Sequence, residues 1–237
     1  MLNLQRLVIA EFQIHNLMVE LTSEQQHYLQ RVLRLKNGDR FIALDGKGQT
    51  WLAILGSDQA TLIESVQASS ELTLSVTLLL ALPKNGFDDV VRQVTELGVS
   101  CIVPMISDRT LLKPSHNKLD RWRKIAQEAA EQCERQIVPT ILEPMPFQQA
   151  LALEAESKYI CAERSSSQHL LNCELSESVI VAIGCEGGWT HQELDMAIAQ
   201  NYQPVTLGKR ILRAVTAPIT ALSLIAGMIE SRTLSED

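Results

Sequence analysis

The chain has 237 residues, 46% of them hydrophobic and 21% charged, which suits one large domain or two smaller ones and is too apolar for a disordered chain. A formal net charge of −7 excludes a generally polycationic protein, so any nucleic-acid contact must come from local clusters of Lys and Arg. Its five cysteines are odd in number and contain no C-x-x-C pair, which argues against a disulfide framework or a zinc site and fits a reducing cytoplasm.

From the N-terminus, the segment MLNLQRLVIAEF spaces its charges too closely for a signal-peptide core. Short β-type runs follow at residues 7–12, 40–44, 51–55 and 60–66, separated by turn chemistry at Lys36-Asn37-Gly38-Asp39 and Asp45-Gly46-Lys47-Gly48. One helix interrupts them over residues 23–34. Thr22 or Ser23 can cap it, and Tyr28, Leu29, Val32 and Leu33 form its apolar face. Short strands at this spacing predict a small barrel. The polar stretch at residues 67–71 is the candidate linker, dividing a domain at 1–70 from one at 71–237.

Beyond the linker the rhythm alternates between strand and helix. A β-rich run at 72–82 ends at Pro83, and the helix at 87–97 carries Val90, Val91, Val94 and Leu97 at helical offsets, with Gly98 as its stop. A strand at 101–106, an amphipathic helix at 118–133, a strand at 137–142, a weak helix at 147–154 and a strand at 158–162 come next. The last third has an apolar strand at 179–184, a glycine-rich turn, and a helix at 190–200 opened by a Thr190-x-x-Glu193 capping box. A strand at 204–207, a loop at 208–213 and a final helix at 216–231 complete the chain. This alternation predicts a largely parallel α/β sheet covered on both faces. The apolar stretch at 214–229 is interrupted by Thr216, Pro218, Thr220 and Ser223. It falls short of the roughly 20 apolar residues of a membrane span and reads as a buried helix.

Ligands of open α/β sheets sit outside the carboxyl ends of the strands. Two loops with unusual composition leave such ends. Gly184-Cys185-Glu186-Gly187-Gly188-Trp189 can approach a ligand with its backbone, yet it lacks the spacing of dinucleotide and phosphate loops. Leu207-Gly208-Lys209-Arg210-Ile211-Leu212-Arg213 alternates apolar and basic residues, so it is either core with solvated charges or a pocket wall with Arg213 facing an anionic group. His15, His27, His116, His169 and His191 show no metal spacing, and no Ser–His or Cys–His pair is visible. A ligand loop without a nucleophile or metal suits group transfer from a reactive cofactor. Two basic stretches stand out: Arg31, Arg34, Lys36 and Arg40; and Arg109, Lys113, Lys118, Arg121, Arg123 and Lys124. Each is a solvated face or a phosphate-binding one.

These two loops, followed by Thr216-Ala217, resemble the paired cofactor loops of the RsmE family, bacterial 16S ribosomal RNA uracil-N3 methyltransferases. Gln5-Arg6, His27 with Val32-Leu33-Arg34, Thr95-Glu96-Leu97-Gly98-Val99, and Glu128-Ala129-x-x-Gln132-x-x-Arg135 fit the same pattern in order, as do Pro104 and Arg109, so the likeness spans nearly the whole chain. The resemblance implies an N-terminal PUA-like β-barrel for RNA binding and a C-terminal SPOUT trefoil-knot α/β domain. It also implies a homodimer, S-adenosylmethionine held between the two loops, and a uridine of 16S ribosomal RNA as substrate.

On that reading the cofactor residues are Gly184, Glu186, Gly187, Leu207, Gly208, Ile211, Leu212 and Arg213. Glu186, Arg109 and Arg213 are candidates for the chemistry, and Arg6, Arg34, Arg109, Arg121 and Arg135 for RNA contact. Two positions depart from the family: Cys185 stands where it usually has Pro, and Val215 where it usually has Glu, which removes a carboxylate beside the cofactor loop. The alternatives are a SPOUT methyltransferase of another RNA or atom, a non-catalytic RNA-binding protein with a decayed cofactor loop, and a nucleotide-binding enzyme with no RNA role.

Overall fold

The computed structural model describes residues 4–67, 70–111, 114–162 and 168–233; Lys113 and part of the expected linker lie outside them. The chain forms two compact units. Unit 1 is Met1–Glu71 together with Gln127–Val138, and unit 2 is Leu72–Ala126 with Pro139–Asp237. A division at residue 70 therefore leaves out Gln127–Val138, which pack with the first unit.

In unit 1 six strands form one sheet in the order β1 (Arg6–Val8), β4 (Arg40–Leu44), β5 (Thr50–Leu55), β6 (Gln59–Ser65), β3 (Met18–Glu20) and β2 (Ile14–His15). The pairing is antiparallel except between β1 and β4. Leu7, Val19, Phe41, Ala53 and Leu62 project from alternate positions into its apolar core. The expected run at 7–12 is shorter, because the chain turns into a 3-10 turn at Glu11–Gln13.

Unpaired edge groups of β1 are satisfied by side chains. The Val8 N–H donates to Glu131 Oε1 at 2.8 Å, and the Val8 carbonyl accepts from Gln25 Nε2 at 3.1 Å. Buried Gln13 extends the network to the Glu20 carbonyl at 2.6 Å and to Gln25 Oε1 at 2.7 Å. Burial pushes the Glu131 carboxyl above its ordinary value, and the Val8 N–H opposes that shift.

The helix expected at 23–34 is broken into two forms. Thr22 caps α1 (Ser23–His27) in a capping box with Gln25, and the chain then widens into a π turn at Tyr28–Val32. There the Leu33 N–H reaches back to the Tyr28 carbonyl, and the segment ends at Arg34 with φ +60.

Unit 2 is built on a parallel sheet in the order β10 (Met145–Pro146), β8 (Cys101–Ile106), β7 (Ser75–Ala81), β13 (Ser178–Ile183), β11 (Ser157–Cys161), β14 (Gln203–Thr206) and β12 (Gln168–His169), with β9 (Thr140–Ile141) also on β8. Every pairing in it is parallel, as the strand–helix alternation predicts. The expected strand at 137–142 shortens to β9. Pro104 lies inside β8 opposite Leu80, and its missing N–H falls in the gap between β9 and β10, where no ladder needs a donor.

Helix α2 (Phe87–Glu96) buries Phe87, Val90, Val91 and Val94, and Gly98 ends it at φ +96. Trp122 of α3 (His116–Gln132) packs edge-on against Phe87 at 4.5 Å and donates to Asp88 Oδ1 at 3.0 Å. α4 (Phe147–Leu151), α5 (His191–Ala199) and α6 (Thr216–Thr233) complete the unit. Among the described residues no helix is long and apolar enough to cross a membrane.

Arg135, 3% exposed, makes a two-point ion pair with Glu71 Oε2 at 3.0 and 2.7 Å, while Glu71 Oε1 accepts from the N–H groups of Gln136 and Ile137. Removing one partner strands a buried charge. Glu71→Ala is expected to lower the unfolding free energy by about 3 kcal/mol, read as a shift in the urea midpoint of the far-UV circular dichroism.

Candidate functional site

All strands of the unit 2 sheet run the same way, so their carboxyl ends share one edge. The two expected loops, after β13 and β14, gather there, and they are joined by residues 82–86 after β7 and 107–111 after β8. The turn at 184–189 is stitched from three directions. Trp189 lies over Gly184, where a Cβ would come within 3.2 Å of its ring, and its indole N–H donates to the Cys161 carbonyl at the end of β11. Arg109 donates from one guanidinium nitrogen to the carbonyls of Gly187 at 2.5 Å and Trp189 at 3.2 Å. Glu186 reaches the other way and accepts the Lys84 N–H at 3.0 Å.

Behind the turn, fully buried Glu193 completes the capping box with Thr190 and also accepts the Asp108 N–H at 2.9 Å. Cys185 is buried in the core, with Ser107 Oγ at 3.9 Å from its sulfur. The second loop is more open. Gly208 adopts φ +128, and the Thr206 hydroxyl bridges its N–H and carbonyl. Leu207 and Leu212 are half-buried, while Ile211 and Arg213 are exposed. The Arg213 carbonyl accepts the first N–H groups of α6, and its guanidinium has no partner among the described residues. Val215 fills the space beside Gly86 (φ +83), approaching within 3.0 Å of where a Cβ would stand. A narrow apolar cleft, lined by Leu80, Pro83, Phe87, Ile183, Ala214 and Pro218, opens between the ends of β7 and β13 and the start of α6.

The structure thus brings Glu186, Arg109, Gly184, Gly187, Leu207, Gly208, Ile211, Leu212 and Arg213 to one edge of the sheet. It changes the part that several cations can play. Arg109 is engaged with backbone carbonyls. Arg135 is buried against Glu71, which removes it as an RNA contact, since it has no surface to offer. Arg6 pairs with Glu134 at 2.8 Å and Arg121 with Asp88 at 2.7 Å. Arg34, by contrast, is exposed, and its side-chain cation has no acidic partner among the described residues, nor do those of Arg31, Lys36 and Arg40. Arg31 borders a polar groove with Gln30, Leu35, Asn37 and Ser57. Composition could not separate these two basic stretches, because the groups that engage the second, such as Asp88 for Arg121 and the carbonyls of Gly187 and Trp189 for Arg109, lie far away in sequence. The bracing by Lys84, Ser107 and Asp108 was also missed; its one local signal is the Pro83-Lys84-Asn85-Gly86 turn at a strand end. Among the described residues no group of His, Cys, Asp or Glu is placed to hold a metal.

The RNA methyltransferase domain family matches residues 70–226, and the RNA methyltransferase PUA domain family matches residues 21–65. Ribosomal RNA small subunit methyltransferase E of Synechocystis is 48% identical, over 95% of this chain and 78% of that protein. The chain belongs to the ribosomal RNA small subunit methyltransferase E family. A Bacillus subtilis family member is 30% identical over 89% of this chain and 90% of its own length. The crystal structure of the Neisseria gonorrhoeae member, bound to S-adenosyl methionine, is 29% identical, with a TM-score of 0.87 over 94% of this chain and 97% of that one. Unit 2 has the SPOUT fold and unit 1 the PUA-like one, as the resemblance implies.

Burial pushes the Cys161 thiol up to about 12 and the Cys101 thiol to about 11, against 9.0 for a free thiol. Above pH 9 the unfolded chain loses these protons first, so native stability should fall as pH rises through their folded values. At pH 8 both thiols should resist an aromatic disulfide reagent in the folded protein and react on unfolding, as thiol titration with and without denaturant would show.

Proposed function

We propose that this chain is an S-adenosylmethionine-dependent methyltransferase that methylates N3 of a uridine in 16S ribosomal RNA, working as a homodimer in the cytoplasm. The observation that carries this reading is the pair of braced loops at 184–189 and 207–213, set at the carboxyl edge of a parallel sheet in a chain of this family. Similarity to a relative crystallised with S-adenosyl methionine supports the cofactor. Exposed Ile211 and Leu111 beside the site support a covering partner subunit.

The residues fit the cofactor. Gly187 has no room for a Cβ beside Arg109, and Gly208 holds a φ that favours glycine, so both loops offer bare backbone at close range. Half-buried Leu207 and Leu212 provide apolar wall for an aromatic base. The Arg213 guanidinium, without a partner among the described residues, is available to a carboxylate or to negative charge developing on the uracil oxygens. When bound, the cofactor supplies an electrophilic methyl group on a sulfonium. The protein's own task is then positioning and proton management. Uracil N3 must shed its proton, and Glu186 retains Oε2 as an acceptor while Oε1 holds the Lys84 N–H. Val215 supplies no alternative carboxylate.

For RNA, the phosphate contacts are Arg31, Arg34 and Lys36 of unit 1, whose side-chain cations have no acidic partner among the described residues. N3 lies on the pairing edge of the base, so the target must be unpaired or flipped. A non-catalytic RNA-binding protein is the second reading, favoured by Val215 alone.

Calorimetry should show S-adenosylmethionine binding to the purified protein, and the protein should add 3-methyluridine to unmodified small-subunit RNA, read by nucleoside mass spectrometry. No binding at millimolar cofactor would overturn the enzyme reading. Replacing Arg31, Arg34 and Lys36 by Ala should weaken RNA binding and flatten its salt dependence by about 0.7 log units per log unit of salt for each phosphate that is no longer neutralised. Cofactor affinity should not change.

A further inference from the structure

We infer that Arg109 is a positioning residue for methyl transfer, acting through the backbone of the glycine-rich turn and not through the RNA. The inference rests on the cofactor reading above. Its ground is the pattern of claimed and unclaimed peptide groups in residues 185–190. The carbonyls of Gly187 and Trp189 both accept from Arg109 Nη1. On the opposite faces of the same two peptides, the Gly188 N–H donates to the Cys185 carbonyl at 2.9 Å and the Thr190 N–H to Glu193 Oε2 at 2.8 Å. Two peptide planes are thereby fixed on both sides. The peptides between and before them are different: the N–H groups of Trp189 and Gly187 have no partner among the described residues. A single guanidinium nitrogen therefore sets the orientation of two free donors at the carboxyl edge of the sheet. Free donors held in a fixed direction are what a polar cofactor group can use without reorganisation.

Arg109 is itself held from behind. The Asp108 N–H donates to Glu193 Oε1 at 2.9 Å, and the Thr190 hydroxyl donates to Asp108 Oδ2 at 3.3 Å, so the loop after β8 is fastened to the N-terminus of α5. The packing is also reciprocal. A Cβ on Gly187 would stand 2.9 Å from Arg109 Cβ and 3.0 Å from its Cδ, so the arginine stem lies flat on the glycine. An arginine reaching for phosphate would leave these carbonyls unpaired. Here they take the charge-assisted bonds instead.

The test compares wild type, Arg109→Ala and Arg109→Lys by calorimetry with S-adenosylmethionine, salt-dependent binding of small-subunit RNA, and hydrogen exchange of the Gly188 amide without ligand. Loss of a charge-assisted bridge predicts cofactor binding weaker by about tenfold or more in Arg109→Ala. Faster Gly188 exchange and an unchanged RNA salt slope should accompany it. Arg109→Lys, which keeps a cationic donor nitrogen and an aliphatic stem but not the guanidinium fork, should recover part of the affinity and covers the case in which the alanine variant does not fold. Cofactor affinity equal to wild type in both variants overturns the inference, and so does a salt slope flatter by about 0.7, the mark of one phosphate no longer neutralised. Wild-type protein that binds no cofactor defeats the underlying reading instead, and the exchange rate of Gly188 still judges the clamp.

Discussion

Backbone donors that leave the regular ladders must find acceptors, and in this protein several glutamates supply them across long stretches of chain. Glu71 takes the N–H groups of Gln136 and Ile137, Glu131 that of Val8, Glu186 that of Lys84, and Glu193 those of Asp108 and Thr190. Each bond to an ionised acceptor contributes about 1.5–3 kcal/mol and ties an irregular segment to a regular one. The acidic balance of the chain is thus partly internal. In unit 1 these bonds hold Gln127–Val138 and the outer edge of β1, and in unit 2 they set the loops at the carboxyl edge of the sheet.

That edge explains why so little side-chain chemistry is visible. A parallel sheet aligns its strand ends, and short loops leaving them must turn sharply, which favours glycine and brings backbone groups forward. Group transfer from an activated donor needs alignment and exclusion of competing geometry more than it needs a nucleophile. The turn at 184–189 is braced by side chains or backbone from several neighbouring segments, while the loop at 207–213 stays more open.

Regular elements with strong local signals were legible. Cys101–Ile106 is the predicted strand, α2 begins at Phe87 as its periodicity and Gly98 stop require, and Thr190 caps α5 with Glu193 as the spacing predicts. Elements whose signals are short were not. The β2–β3 hairpin turns through Asn16 at φ +58 and has too few residues to show alternation, and the π turn after α1 keeps helical spacing while changing its hydrogen bonds. At the site, the positions of the two loops were readable from glycines and strand ends. The duties of the arginines were not, because Arg6 meets Glu134 across 128 residues and Arg135 meets Glu71 across 64. Pairing at that range follows from the completed fold.

The two close glycine approaches at the carboxyl edge bear on how this chain can diverge. Gly187 lies under the Arg109 stem, and a Cβ on Gly86 would stand 3.0 Å from a Val215 methyl, which would have to give way. Neither position can drift alone: a side chain at 187 would meet the Arg109 Cβ at 2.9 Å, so shortening residue 109 does not relieve it and the loop after β8 must shift, while a side chain at 86 requires room from Val215 and relief of a left-handed backbone. Across descendants of this sequence, 86 and 215 should therefore change as a pair, while 187 stays glycine as long as residue 109 carries a Cβ over it, a linkage that lies in space between segments well separated along the chain.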